Sequence, residues 1–165
     1  MHCDSAKYHR RSIRLKGYDY SRTGVYFVTL CTDQRRYLLS TIDQHEVTLT
    51  EFGGVLDQKW QELAQYGSGV TVDEYVLMPD HLHGLIVLQN PPTADPHTKL
   101  SLSDLMQRYK SLTTTLYRRY EQENGLAVSR RLWQRNYYER IVRDDTHLDT
   151  IRRYIQTNPI RWKGK

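Results

Sequence analysis

Two β-rich runs separated by one two-residue turn constrain this chain more than any other feature. Val70–Met78 (VTVDEYVLM) and His81–Leu88 (HLHGLIVL) are joined only by Pro79-Asp80. That link is too short for a crossover, so the two runs must pair antiparallel. The second run is apolar on both alternating sets of positions, as expected of a strand covered on both faces and central in its sheet. Residues 25–30 (VYFVTL), following Thr23-Gly24, predict another strand.

Helices are read from the 3.6-residue period. Leu102, Leu105, Met106, Tyr109, Leu112, Leu116 and Tyr117 recur at that spacing, with Arg108, Lys110, Arg118 and Arg119 on other faces. Thr50 is placed to cap a helix running to about Gln65, with Phe52, Val55, Leu56 and Leu63 on one face. Gly53 and Gly54 count against it, at about 1 kcal/mol each relative to alanine. Residues 133–142 (WQRNYYERIV) read as a further strand or extended segment. Residues 144–157 read as a last helix with Leu148, Ile151 and Ile155 inward, ending at Asn158-Pro159 because proline disfavours helical geometry in the preceding residue.

The order β, α, β, β, α, β, α is the split βαβ plan of a ferredoxin-like α+β domain: an antiparallel sheet with two helices on one face. At 165 residues the chain suits a single domain (1–165), in which the proline-rich stretch 89–99 (QNPPTADPHTK) is an internal loop. RRM-type RNA binders, enzymes and regulators share this plan, so it does not name a function.

Composition excludes several classes. With 38% hydrophobic and 26% charged residues the chain is not a disordered tail. No apolar run approaches the roughly 20 residues of a spanning helix, and the basic N-terminus lacks a signal-peptide core. Cys3 and Cys31 form no CxxC or zinc-finger pattern, which makes a reduced, cytoplasmic setting the default. Charge is uneven: residues 1–22 carry six Lys/Arg against two acids, 23–100 four against ten, and 101–165 fourteen against seven. Two basic ends around an acidic middle suit a nucleic-acid footprint, although a solvated surface with uneven charge accounts for the same numbers.

The chemistry concentrates in two places. In MPDHLHGLIVL, His81 and His83 stand two apart on a strand and therefore share a face, offering half a coordination sphere for a divalent metal. Histidines on a largely buried strand need a partner to offset desolvation, and a metal would supply one. In YIQTNP, Tyr154 and Asn158 are four apart and so neighbours on one side of the last helix, among Arg152, Arg153 and Arg161. Such a phenol could attack a phosphate. Alone, the pattern equally describes a partly buried tyrosine and an asparagine closing its helix before proline.

Together these blocks resemble one family. MPDHLHGLIVL looks like the HUH motif (histidine, apolar residue, histidine) of single-tyrosine transposases. RRSIRLKGYDYSRTGVYFVTLCT and LWQRNYYERIVRDDTHLDTIRRYIQTNP resemble the beginning and the C-terminal half of the REP-associated tyrosine transposases. The resemblance implies an RRM-like palm and a C-terminal helix carrying the nucleophile, Tyr154. It implies a divalent metal, Mg²⁺ or Mn²⁺, on His81 and His83, with Asn158 where the family places a third polar ligand and Gln156 as the fallback. The implied reaction is cleavage and rejoining of single-stranded DNA through a 5′-phosphotyrosine, on hairpin or palindromic repeats, by a monomer or homodimer.

DNA contacts are expected from Lys7, Arg10, Arg11, Arg14, Lys16, Arg118, Arg119, Arg130, Arg131, Arg152 and Arg153. Exposed aromatics would stack unpaired bases, with Tyr18, Tyr20, Tyr137 and Tyr138 all open as candidates. Trp133 begins an apolar segment and is expected to pack. A non-cleaving DNA-binding protein would need neither histidine nor Tyr154, and an RRM-like RNA binder would carry aromatics on the central strands, which HLHGLIVL lacks.

Overall fold

In the computed structural model, residues 17–90 and 99–164 are described. Strand β1 (Gly24–Cys31) lies between β5 (His81–Leu88) and β6 (Tyr138–Val142), and β4 (Val70–Met78) pairs with the far side of β5. Every pairing in the resulting order β4-β5-β1-β6 is antiparallel. The apolar HLHGLIVL segment is therefore an inner strand, as its two-faced pattern predicts. The connection from β4 to β5 is the Pro79-Asp80 turn.

Alternation divides the sheet's residues between two cores. Tyr26, Val28, Leu30, Leu82 and Ile86 face α1 (Glu51–Gln61) and α2 (Leu102–Glu123), where they meet Leu56, Trp60, Met106 and Tyr109. Trp60 packs edge-on to Tyr109, whose hydroxyl donates to the Leu56 carbonyl. The opposite face carries Val25, Phe27 and Leu85 against Ile151 and Ile155 of α3 (Asp145–Arg161). Two helices thus cover one face, and the C-terminal helix covers part of the other.

Local chemistry sets the helix starts. Thr50 caps α1 by accepting from the Gly53 amide, Ser101 and Asp104 form a reciprocal capping box on α2, and Asp144 accepts from the His147 amide on α3. Gly53 is required rather than merely tolerated, because a Cβ there would run into the Leu39 carbonyl.

Several expectations need correction. The segment 133–142, expected as a strand or extended stretch, is regular strand only at Tyr138–Val142, with Trp133 making an isolated bridge to Thr32. Its indole nitrogen donates to Thr113, which takes the inward position while Leu112 turns outward. Helix α3 does not stop at Asn158 but continues through Pro159 to Arg161. Proline forfeits only one backbone bond this near the helix end, and its ring is buried. A hairpin of β2 (Ser40–Asp43) and β3 (Glu46–Leu49) was not anticipated. Residues 91–98 of the expected proline-rich loop lie outside the described residues; at its base the Asn90 amide donates to the carbonyls of Ser21 and Leu100.

Candidate active site

The register places the two histidines. His83 pairs with Thr29 on β1, and Thr29 pairs with Tyr138 on β6, so these three side chains form a row on one face. In the next row His81 stands opposite Cys31. This is the face α3 covers only in part. At the uncovered end, Thr29, Cys31, Arg35, His81, His83, Gln134, Tyr138, Tyr154 and Asn158 line one cavity of about 550 Å³.

The histidines are held from behind. Asp80, fully buried, accepts the His81 Nδ1–H at 2.6 Å through one carboxylate oxygen and pairs with Arg35 Nε at 2.9 Å through the other. The proton on Nδ1 leaves the His81 Nε2 lone pair facing the cavity. His83 Nδ1 is hydrogen-bonded to the Thr29 hydroxyl at 2.8 Å. Because a hydroxyl can donate or accept, Thr29 can support either neutral tautomer of His83.

Burial pushes both imidazoles below the usual histidine range, His83 down to about 3, with His81 and Arg35 lowering it further. For His81 the Asp80 carboxylate opposes that desolvation without overcoming it. Both rings are therefore neutral near pH 7, the state a metal ligand needs.

The donor geometry suits a divalent ion. The two Nε2 atoms are 3.1 Å apart, close to the roughly 3 Å between adjacent octahedral positions with bonds of about 2.1 Å. Among the described residues no further His, Cys, Asp or Glu completes a three-residue metal cluster. The amide of Asn158, lining the same cavity, is the remaining donor expected from the sequence.

Helix α3 delivers the phenol. Tyr154 Oη lies 3.3 Å from His83 Nε2, and its ring packs edge-on against Phe27 and His83. Arg152 fixes the helix laterally by a two-pronged ion pair to Asp73 on β4, at 2.6 and 3.1 Å. Its charge is engaged there, whereas Arg153 is exposed. Gln156 donates to Glu74 and does not line the cavity, while Asn158 does.

The other expected DNA contacts fall in two groups. Lys7, Arg10, Arg11, Arg14 and Lys16 lie outside the described residues. Arg118, Arg119, Arg130 and Arg131 are exposed, and Arg118 donates to the Arg130 carbonyl. Arg36 joins Arg130 and Arg131 around a second cavity and donates to the Arg131 carbonyl. Of the four candidate tyrosines, Tyr137 is buried, and Tyr18 and Tyr20 pack around Tyr26; Tyr138 remains open beside the histidines.

Sequence reasoning missed Arg35, Thr29 and the role of Asp80. Only Asp80 left a signal, an acid immediately before the histidine pair. Arg35 reaches the site through a tight turn whose residues Gln34 and Arg35 both have a φ of 56°, which no local pattern announces.

Comparison with known proteins matches this architecture. The profile of a family described as transposase, IS200-like, matches residues 25–158. A Haemophilus influenzae protein of uncharacterised function is 35% identical over 170 residues, spanning 94% of this chain and 91% of its own. A second protein from that organism, named "Putative REP-associated tyrosine transposase", is 22% identical over 143 residues, 87% of this chain and 74% of its own. A solved REP-associated tyrosine transposase bound to a REP hairpin shares the fold at a TM-score of 0.52 and 17% identity, over 87% of this chain and 71% of that one. Among the described residues no helix is long and apolar enough to cross a membrane. With its profile matched from the first strand to the last helix, this chain belongs to the IS200-like transposase family.

Proposed function

We propose that this chain cleaves and rejoins single-stranded DNA at hairpin-bearing repeats, using Tyr154 as nucleophile and a divalent metal, Mg²⁺ or Mn²⁺, held by His81, His83 and Asn158. The observation that carries the proposal is convergence: Tyr154 Oη, from α3, lies 3.3 Å from the Nε2 of His83, from β5, in a cavity also lined by His81 and Asn158. The hairpin substrate is carried over from the REP hairpin bound by the solved structural neighbour.

In the reaction, Tyr154 Oη forms a bond to the scissile phosphorus as the bond from phosphorus to the 3′-oxygen breaks. The strand is left with a 5′-phosphotyrosine and a free 3′-hydroxyl, and the phenol proton is balanced by protonation of that 3′-oxygen. Attack by another 3′-hydroxyl reverses the step and joins strands with no external energy source, since one phosphodiester replaces another. A divalent ion held by His81, His83 and Asn158 would supply Lewis-acid polarisation of a phosphate oxygen. Phe27 and the Arg152–Asp73 pair hold the phenol in place, which matters because attack requires an approach of about 3–3.5 Å. Arg35, at the cavity wall and ion-paired to Asp80, brings guanidinium N–H groups toward the phosphate. His83 is a poor choice of base, because burial holds its imidazole well below the usual histidine range and its Nε2 is the atom assigned to the metal.

The test is incubation with labelled single strands bearing a hairpin, with Mn²⁺ and with chelator. A covalent protein–DNA band is expected with metal and absent for Tyr154→Phe. A band that persists in Tyr154→Phe would overturn the nucleophile; a chelator-resistant band would overturn the metal.

A further inference from the structure

Two aromatic surfaces flank the histidine pair: Tyr138, exposed, and Trp162, half-buried beside the exposed Tyr37. On one side, Tyr138 occupies the edge strand β6 in the same cross-strand row as Thr29 and His83. Its side chain stands on the site face, two strands or about 10 Å from His83, and is 59% exposed. Its neighbour Tyr137 points into the main core and is buried, so the pair divides by alternation into one packing ring and one presented ring.

On the other side, Trp162 follows the last turn of α3 and lies 6.0 Å, centroid to centroid, from the His81 ring. It is braced edge-on by Tyr37, itself 47% exposed, at 5.7 Å. Trp60 and Trp133 are buried in the core, so Trp162 is the only tryptophan placed to meet solvent.

Between these surfaces the cavity is polar, with the Arg35 guanidinium, ion-paired to Asp80, beside the imidazoles. An extended strand of phosphates and flat bases matches that sequence of surfaces: polar donors at the centre for a phosphate, aromatic faces on both sides for bases. A paired helix cannot use them, because its base faces are already stacked within the duplex.

We propose that Tyr138 on one side of the site, and Trp162 braced by Tyr37 on the other, are stacking platforms for the unpaired bases flanking the phosphate at the histidine pair. This rests on the reading of the site as one for single-stranded DNA, and it adds which groups select an unpaired strand there. The selection needs no base-specific hydrogen bonds, because every base offers a face to an aromatic ring.

The experiment uses the full chain carrying Tyr154→Phe, without added metal, so that only binding is read. The probes are single-stranded oligo-dT and a blunt duplex of equal length, at one fixed salt concentration. Tyr138→Ala and Trp162→Ala should each weaken oligo-dT binding by about 5-fold or more while leaving duplex binding within about twofold. Tyr138→Phe and Trp162→Phe should restore most of the loss, since a phenyl ring stacks without any hydroxyl or indole N–H. Tryptophan fluorescence should be quenched by oligo-dT and not by duplex, and the quenching should vanish in Trp162→Phe. Unchanged oligo-dT affinity in both alanine variants, or equal losses on duplex, would overturn the proposal. Failure of the wild-type chain to form a covalent adduct would instead sink the chemistry at Tyr154 and leave this result standing.

Discussion

The Nε2 atom of His83 stands between two groups at nearly equal range, 3.3 Å from Tyr154 Oη and 3.1 Å from His81 Nε2. Nucleophile and metal-ligand candidate thus touch directly, so substitutions on either side should be separable by what they spare. On the proposed reading, His81→Ala or His83→Ala should remove adduct formation and leave hairpin affinity within about twofold, because such affinity would come mainly from phosphate contacts. Gel-shift and denaturing-gel measurements on the same preparations check this. Parallel loss of both in a folded variant would mean the histidines bind DNA rather than serve the chemistry.

Tyr137→Phe and Tyr138→Phe should still form the adduct. Tyr137 is buried on the far side of the sheet, and Tyr138 lies across β1 from the β5 histidines. Peptide mapping of the trapped product should find the nucleotide only on the peptide containing Tyr154.

Asp80→Asn should weaken Mn²⁺ binding by about 10- to 100-fold, the usual consequence of removing a carboxylate that orients a ligating histidine. Asn cannot offer two anionic oxygens to His81 and Arg35 at once. Electron paramagnetic resonance titration without DNA reads this directly. An affinity equal to wild type would show that the carboxylate positions nothing of consequence.

Acid should destabilise the fold through His83. Its folded value is depressed to about 3, whereas in the unfolded chain it titrates near 6.5. The unfolded state therefore binds the extra proton first, and stability falls as pH drops below about 6.5. The slope approaches about 1.4 kcal/mol per pH unit for one group, continuing until the folded value is passed. His81, shifted the same way, adds to it. Urea unfolding across pH 4 to 7 should show a shallower decline in His83→Leu, measured without metal.

Gly84→Ala should lower stability by about 1–3 kcal/mol, because a Cβ there collides with the Trp60 ring in the packed core. Thermal unfolding should shift down by several degrees. The substitution lies between His83 and Leu85, so adduct formation by the surviving folded fraction is a sensitive check on the register of β5.

The parts of this molecule that were legible are those whose signal is local. The β4–β5 hairpin followed from two apolar runs and a two-residue turn, and α2 from its 3.6-residue period. The β2–β3 hairpin was illegible because its strands, STID and EVTL, are only four residues each, and the first carries a single apolar residue. Its turn residues Gln44 and His45 take positive φ without the usual glycine. At the site, His81, His83, Tyr154 and Asn158 were all singled out, and all four line one cavity. Arg35, Thr29 and Cys31 join them only because β1 pairs with β5 in one particular register and because the turn after β1 folds back on Asp80. That information is in the tertiary structure rather than in any short window.

The division of the core into unequal halves has a consequence for how the chain breathes. Helix α3 rests on a small cluster around Leu85, Ile151 and Ile155 and on the Arg152–Asp73 pair, while α1 and α2 share the large core on the other face. Local opening of α3 exposes little apolar surface and leaves the four-stranded sheet paired, so it requires less free energy than global unfolding. Amide hydrogens within Asp145–Arg161 should exchange faster than those of β1 and β5. Tyr154 then belongs to a cooperative unit of its own, able to lift from the sheet while the two histidines stay in register.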